Sequence, residues 1–176
     1  DVEKIGTDAR LMLEKNQVVH VSMAEKLLVL QLSKLSNFIP SGGIWLNTQR
    51  PEWNDANNAL VGYGVSMVTL YYLNRHILFI NKVLLNVNMT EFEISIEVFD
   101  WFIDINAIFK RYSPSNNEKM DPATRKIFVQ ELQKKFSNYR QKTYNKSSSG
   151  KNKIKVIDII NFNNLVLAHF EHSIND

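Results

Sequence analysis

Residues 58–85 decide the fold class, because they carry one long helical pattern of apolar residues. They read NALVGYGVSMVTLYYLNRHILFINKVLL. Over this stretch apolar residues fall on most faces of a helix, which is typical of a helix at the centre of a core. Neither Gly nor Pro occurs between Gly64 and Pro114, so that region is free to be helical. We therefore predict a central, buried helix from Asn58 to about Leu85.

Helix start signals occur on both sides of this stretch. Ser22 with Glu25, and Thr90 with the Glu three residues after it, each fit a capping box, in which two side chains satisfy free backbone donors. Asp121 followed by Pro is typical of an N-cap and a first helical residue. Apolar residues at three- and four-residue spacings follow each signal. The six predicted helices span residues 2–15, 22–37, 58–85, 90–111, 121–144 and 154–174.

These helices predict an all-α fold, with about six helices in antiparallel hairpins that form a bundle or part of an α/α toroid. We expect one all-helical domain over residues 1–176, since 176 residues with 44% hydrophobic and 22% charged composition can form a single core. The polar run from Asn145 to Asn152 predicts a flexible loop.

Composition and motifs exclude several classes of function. The 21 Lys and Arg against 18 Asp and Glu give a net charge of +3, which is too small to indicate a nucleic-acid partner. The lack of cysteine excludes disulfides, a cysteine nucleophile and thiolate metal sites. No apolar run reaches the roughly 18 residues that a membrane span needs. His169 and His172 have a spacing used by metal sites, but no further ligand completes a set, so we predict no metal and no cofactor.

Residues 39–58 form a long Trp-rich loop between two predicted helices, and such loops are usually functional. The loop contains Trp45 and Trp53, whose rings can stack on the apolar face of a sugar. Asn, Gln and Arg side chains offer paired hydrogen-bonding groups that match adjacent hydroxyls. A carboxylic acid beside an aromatic wall can hold a raised pKa and protonate a leaving oxygen.

The stretch Arg50-Pro51-Glu52-Trp53-Asn54-Asp55-Ala56 resembles the Trp-Asn-Asp segment of six-hairpin, (α/α)6-toroid glycosidases and glycoside phosphorylases. In the phosphorylases a Trp-Asn-Asp-Gly motif supplies the general-acid Asp, whereas this chain has Ala56 in place of that Gly. The resemblance implies that Asp55 is the general acid and that Trp53 and Asn54 line the sugar site.

On this interpretation the sugar site has further members in the same loop. Trp45 would stack on the sugar beside Trp53, and Arg50 and Asn57 would fix hydroxyls with Asn54. Glu52 lies three residues before Asp55, so the two carboxylates would be on the same side of the sugar and Glu52 is a poor second catalytic group. We therefore place Glu52 in the binding site, as a cap or as a partner of Arg50. The second catalytic group is not identified.

Because a toroid needs about twelve helices and the chain starts without Met, we expect a segment of a larger enzyme. Its partners would be carbohydrate and the remaining parts of the larger polypeptide, and its uncovered apolar surface would favour self-association. The alternative is a non-catalytic α-helical binding or interaction module. In that module residues 42–58 are structural, Asp55 is only a helix N-cap and the Trp side chains pack in the core.

Overall fold

In the residues that the structure describes, five α-helices combine with short antiparallel strands. A computed structural model describes residues 13–14, 17–47, 63–114, 119–144 and 150–175. The helices are α1 (Met23–Leu35), α2 (Met67–Leu85), α3 (Ile96–Arg111), α4 (Pro122–Tyr144) and α5 (Val156–Asn175). The strands are β1 (Leu13–Glu14), β2 (Gln17–Val18), β3 (Phe38–Ile39), β4 (Gly43–Asn47), β5 (Tyr63–Ser66), β6 (Glu91–Ser95) and β7 (Lys151–Lys155). They form the antiparallel pairs β1–β2 and β6–β7 and the three-stranded sheet β3–β4–β5.

The prediction of an all-α fold with six helices is therefore wrong. Three of the predicted helices begin later than expected, because a strand runs directly into each of them: β5 into α2, β6 into α3 and β7 into α5. These strands pair with segments far away in sequence, and helical spacing alone does not reveal such pairing. The predicted flexible loop at 145–152 is likewise wrong for residues 151–152, which lie in β7.

The predicted first helix and the predicted loop differ from the structure in the same way. Leu13–Glu14 lies in β1 and pairs with β2 instead of ending a helix, while residues 1–12 lie outside the described part of the chain. In the loop predicted at 39–58, strands β3 and β4 form a hairpin in which Phe38 pairs with Ile44. A single domain over the whole chain remains a prediction.

Two of the predicted helix starts are confirmed at atomic detail. The Ser22 hydroxyl accepts a hydrogen bond from the Glu25 backbone amide at 3.1 Å. The Asp121 carboxylate accepts from the amides of Ala123 and Thr124 at 2.9 and 3.1 Å. A hydrogen bond from the Thr124 side chain, together with these amide bonds, holds the pKa of Asp121 below its usual value. The Glu25 carboxylate, however, is buried and accepts from the Ser95 amide at 3.1 Å, so it ties α1 to the start of α3.

The capping box predicted at Thr90 is wrong, because Glu91–Ser95 forms β6. Ile94 of β6 and Ile154 of β7 are buried, whereas Glu91 and Lys153 form an ion pair on the exposed side of the strands. This alternation of apolar and charged residues has the two-residue period of a half-buried strand. The β6–β7 pair therefore packs its apolar side against the core.

The core is built around aromatic rings contributed by β3, α3, α4 and α5. Phe38 contacts Phe109, Phe128 and Phe170, with ring centroids 5.1 to 6.2 Å apart. Helices α3 and α4 run antiparallel, and the ion pairs between them join residues 111 with 131, 104 with 135 and 100 with 142. Such exposed pairs add little stability, so the aromatic packing is the main source of cohesion here.

Helix α2 differs from the buried, central helix that its sequence predicts. One side of α2 is buried against the core through Leu70, Leu73, Ile77, Ile80 and Leu84. Its opposite side is apolar as well but faces solvent, with Tyr72 and Phe79 more than 60% exposed. No other described part of the chain covers this exposed apolar side of α2.

Candidate functional site

The segment predicted to carry the chemistry starts and ends on two neighbouring strands. Asn47 is the last residue of β4 and Tyr63 the first residue of β5, and they are direct register partners. Partners in an antiparallel pair have Cα atoms about 4.5 to 5.5 Å apart. The two residues that flank positions 48–62 are therefore adjacent in the fold, and we call β4 and β5 the stem of this segment.

Trp45 lies on the outer side of the stem. Ile44 is fully buried and Leu46 packs against the core, so these two side chains face inward. Because successive residues of a strand point to opposite sides, Trp45 faces away from the core, on the same side as its cross-strand partner Val65. Trp45 is half-buried and Val65 is 38% exposed. The indole ring of Trp45 therefore lies at the base of the segment, on the side of the stem that faces away from the core, with part of its surface exposed.

The stem is fixed tightly to helix α2. The Ser66 hydroxyl caps α2 by accepting from the amide and the hydroxyl of Thr69 at 3.1 and 3.0 Å. Gly43 lies against Ser66 with a φ of 122°, and a Cβ atom at Gly43 would lie 2.8 Å from the Ser66 carbonyl oxygen. Only glycine fits this close approach. The ends of the segment are therefore attached to a rigid strand–helix junction.

The other predicted site residues lie outside the described residues. These are Arg50, Glu52, Trp53, Asn54, Asp55 and Asn57. Of the predicted site, the structure places Trp45 and the two strand ends between which the others lie. The roles assigned to these side chains remain predictions.

A polar cleft of about 370 Å³ lies near the other end of β4, where the turn after β3 meets α3, α4 and α5. Since a strand rises about 3.3 Å per residue, the two ends of β4 are roughly 13 Å apart. The lining includes Ser41, Tyr112, Asp121, His169 and Ser173. The sequence did not predict this cleft, which His169 and His172 both line.

Two buried polar side chains of the cleft, His169 and Ser173, are hydrogen-bonded within the protein. His169 is 3% exposed, and its Nε2 lies 3.0 Å from the Phe109 carbonyl oxygen, which can only accept, so Nε2 carries the proton. Burial lowers the pKa of His169 to about 4, which leaves the ring neutral near pH 7. The Ser173 hydroxyl accepts from the Ser41 amide at 3.1 Å. These contacts hold α5 against α3 and against the turn, where Ser41 has a positive φ of 56°.

Two classes of site are not found in the part of the chain that the structure describes. No group of three or more His, Asp or Glu side chains there is arranged to hold a metal ion. Within the same residues, no helix combines the length and the apolar character needed to cross a lipid bilayer.

The sequence was compared with protein families and with curated proteins, and neither comparison found a relative. No protein-family model matches the chain, and a search of curated proteins returns no significant match.

Proposed function

We propose that the chain acts on carbohydrate, by glycoside hydrolysis or phosphorolysis, with Asp55 as the general acid. The observation that carries the proposal is the outward position of Trp45 on the stem of the segment that contains the Trp-Asn-Asp motif. Two strands anchored on α2 give that segment a fixed base. A loop on a rigid base is where binding and catalytic residues are commonly placed.

In the proposed reaction Asp55 donates its proton to the glycosidic oxygen as the bond to the anomeric carbon breaks. Water or phosphate then attacks that carbon. Trp45 and Trp53 stack on the sugar, while Arg50, Asn54 and Asn57 bind its hydroxyls and Glu52 pairs with Arg50. For Asp55 to be protonated near neutral pH, its surroundings must be apolar enough to raise its pKa, which a neighbouring indole provides.

The test is reducing-sugar release from a panel of glycans by the full chain, with and without phosphate. Asp55→Asn keeps the size of the side chain and removes the acid, so we expect activity to fall by at least 100-fold. Asp158→Asn is the matched control, because Asp158 is an exposed aspartate in the first turn of α5, far along the chain from the motif. We expect this control to retain full activity. A requirement for phosphate would identify phosphorolysis.

The second candidate is a non-catalytic interaction module, and the exposed apolar side of α2 favours it. In this case residues 42–58 are structural and Asp55 caps a helix. Asp55→Ala would then lower the melting temperature of the chain, Asp55→Asn would leave it nearly unchanged because Asn caps a helix as well as Asp does, and neither the wild type nor the variants would release sugar. Activity on no glycan, or activity equal in Asp55→Asn and wild type, would reject the enzymatic proposal.

A further inference from the structure

The solvent-facing side of α2 carries many exposed apolar side chains. Seven of its large apolar side chains are 40 to 72% exposed, in two rows along the helix. Because a helix rises 1.5 Å per residue, the surface is about 26 Å long. Contiguous apolar surfaces of this kind mark sites of protein interaction. We define the α2 face by these residues: Val68, Tyr71, Tyr72, Leu78, Phe79, Val83 and Leu85.

A small apolar socket adjoins the α2 face near the C-terminal end of the helix. It has a volume of about 200 Å³ and lies between α1 and α2, with Val83 belonging to both the socket and the face. Met23, Leu27 and Phe92 supply other parts of its wall. The amide of Gln31, the polar side chain in the lining, is already bonded to Asn163 at 2.6 Å. Since a dry apolar cavity of about 150 Å³ can bind benzene, the socket can take one Leu or Phe side chain.

The charges on the α2 face are all positive. Arg75 and Lys82, seven residues apart, lie on the same side of the helix as the exposed apolar side chains. In the described part of the chain no carboxylate lies within ion-pair distance of either residue, and the Arg75 guanidinium lies 5.9 Å from the centroid of the Tyr72 ring. Lysines of α4, by contrast, are paired with aspartates of α3.

This charge pattern argues against a second copy of the chain as the occupant. The α2 face is centred near residue 76, so an antiparallel pairing of two copies about a two-fold axis would bring Arg75 close to its own counterpart. Like charges facing each other across an interface weaken binding. A partner with carboxylates at matching positions would instead neutralise both cations.

We propose that the α2 face docks an acidic amphipathic helix of a partner. The partner helix lies along α2, places one large apolar side chain in the socket and pairs its carboxylates with Arg75 and Lys82. This is the mode in which a helix binds a groove through apolar anchors at three- and four-residue spacings. The proposal does not depend on the carbohydrate function.

The test uses the full chain and two labelled synthetic helical peptides of 18 residues. Both carry the same Leu and Phe face; one has Glu and the other Lys at two positions seven residues apart. Fluorescence anisotropy at low salt should give a Kd at least tenfold lower for the Glu peptide. The charge-reversed variant R75E/K82E should prefer the Lys peptide, a reversal that nonspecific apolar adhesion does not produce.

Variants of apolar residues on the α2 face and at the socket test where the partner helix binds. Phe79→Ser on the face and Val83→Trp at the rim of the socket should each weaken binding of the Glu peptide at least tenfold. Ile157→Ser, at an apolar residue of α5 that is 54% exposed, is the matched control and should bind normally. Circular dichroism melting curves confirm that each variant is folded before binding is compared.

Three outcomes would overturn the proposal. The first is equal affinity of wild type for both peptides, and the second is an unchanged preference in R75E/K82E. The third is a wild-type dimer in light scattering that Phe79→Ser converts to a monomer, since the face would then belong to a second copy.

Discussion

Gly43 is the single residue on which the junction between the stem and α2 depends most directly. A Cβ atom there would lie 2.8 Å from the Ser66 carbonyl oxygen, and the φ of 122° is rarely adopted by residues other than glycine. Gly43→Ala should lower the free energy of unfolding by about 1–3 kcal/mol through backbone strain alone, and by more through the steric overlap. Urea denaturation measures the loss.

The chain provides a matched control at Gly150. It has a φ of 103°, but the nearest atom to an added Cβ there is the Ile96 Cδ1 at 3.7 Å, which is an ordinary contact. Gly150→Ala therefore carries similar backbone strain without the overlap. If Gly150→Ala were as destabilising as Gly43→Ala, the close approach to Ser66 would have no measurable effect.

At this scale the sequence predicted contacts between near neighbours and missed those between distant ones. The caps at Ser22 and Asp121 depend on backbone amides two or three residues away, so local spacing is enough to identify them. Glu25 has the right spacing to complete a capping box, yet its carboxylate binds the Ser95 amide, 70 residues further along the chain. No local pattern distinguishes these two partners.

At the scale of elements, a chain of side-chain amides links α1, α5 and α2. Gln31 donates to Asn163 at 2.6 Å, and Asn163 donates to Asn81 at 2.7 Å. Gln31 and Asn163 are 1% and 0% exposed. Asn163→Ala should lower the free energy of unfolding by about 1–3 kcal/mol, because it leaves the buried Gln31 amide without a partner. Urea midpoints provide the measurement.

A double-mutant cycle separates this effect from simple loss of packing. In Q31L/N163L both polar groups are replaced by apolar ones, so the double variant should be less destabilised than the two single variants added together. Asn164→Ala, which removes an exposed member of the chain of amides, should change stability by less than about 0.5 kcal/mol. Additive effects of Gln31→Leu and Asn163→Leu would contradict the proposed coupling.

Some helices and strands could also be predicted from the sequence, whereas others could not. Helices α1 and α4 were predicted within a few residues, because their caps and apolar spacings agree. For β6 the sequence predicts the start of a helix, and for β7 it predicts the end of a loop at residue 152 and a helix from residue 154. Phe92 and Ile94 nevertheless alternate with glutamates, and Ile154 lies between lysines. Each run is only five residues long, and its meaning depends on a partner about 60 residues away.

For the whole molecule, the sequence indicated a candidate site, but the described residues contain only the base of that site, on β4 and β5. The carbohydrate interpretation assigns roles to seven residues, three of them through the Trp-Asn-Asp resemblance, and Trp45 is the one of the seven that the described residues contain. Its strand, its register with Val65 and its outward direction could not be read from the sequence, because that loop was predicted to be free of strands. The stem is therefore a finding of the structure, while the chemistry of Asp55 remains a proposal.

The stability of the whole molecule should depend on pH through His169. Its pKa is about 4 in the folded chain, against the usual 6.5, because burial disfavours the charged ring. The unfolded chain therefore binds more protons between pH 6.5 and 4, so this group's contribution is complete above pH 6.5 and is lost as the pH falls toward 4. The expected loss is about 3 kcal/mol, since one pKa unit corresponds to about 1.4 kcal/mol.

Burial also lowers the pKa of His76, so urea titrations should compare wild type with His169→Gln, which keeps a donor for the Phe109 carbonyl and does not titrate. His169→Gln should flatten the pH dependence, whereas His20→Gln, at an exposed histidine, should leave it unchanged. An equally steep dependence in His169→Gln would show that the acid sensitivity of the fold arises elsewhere.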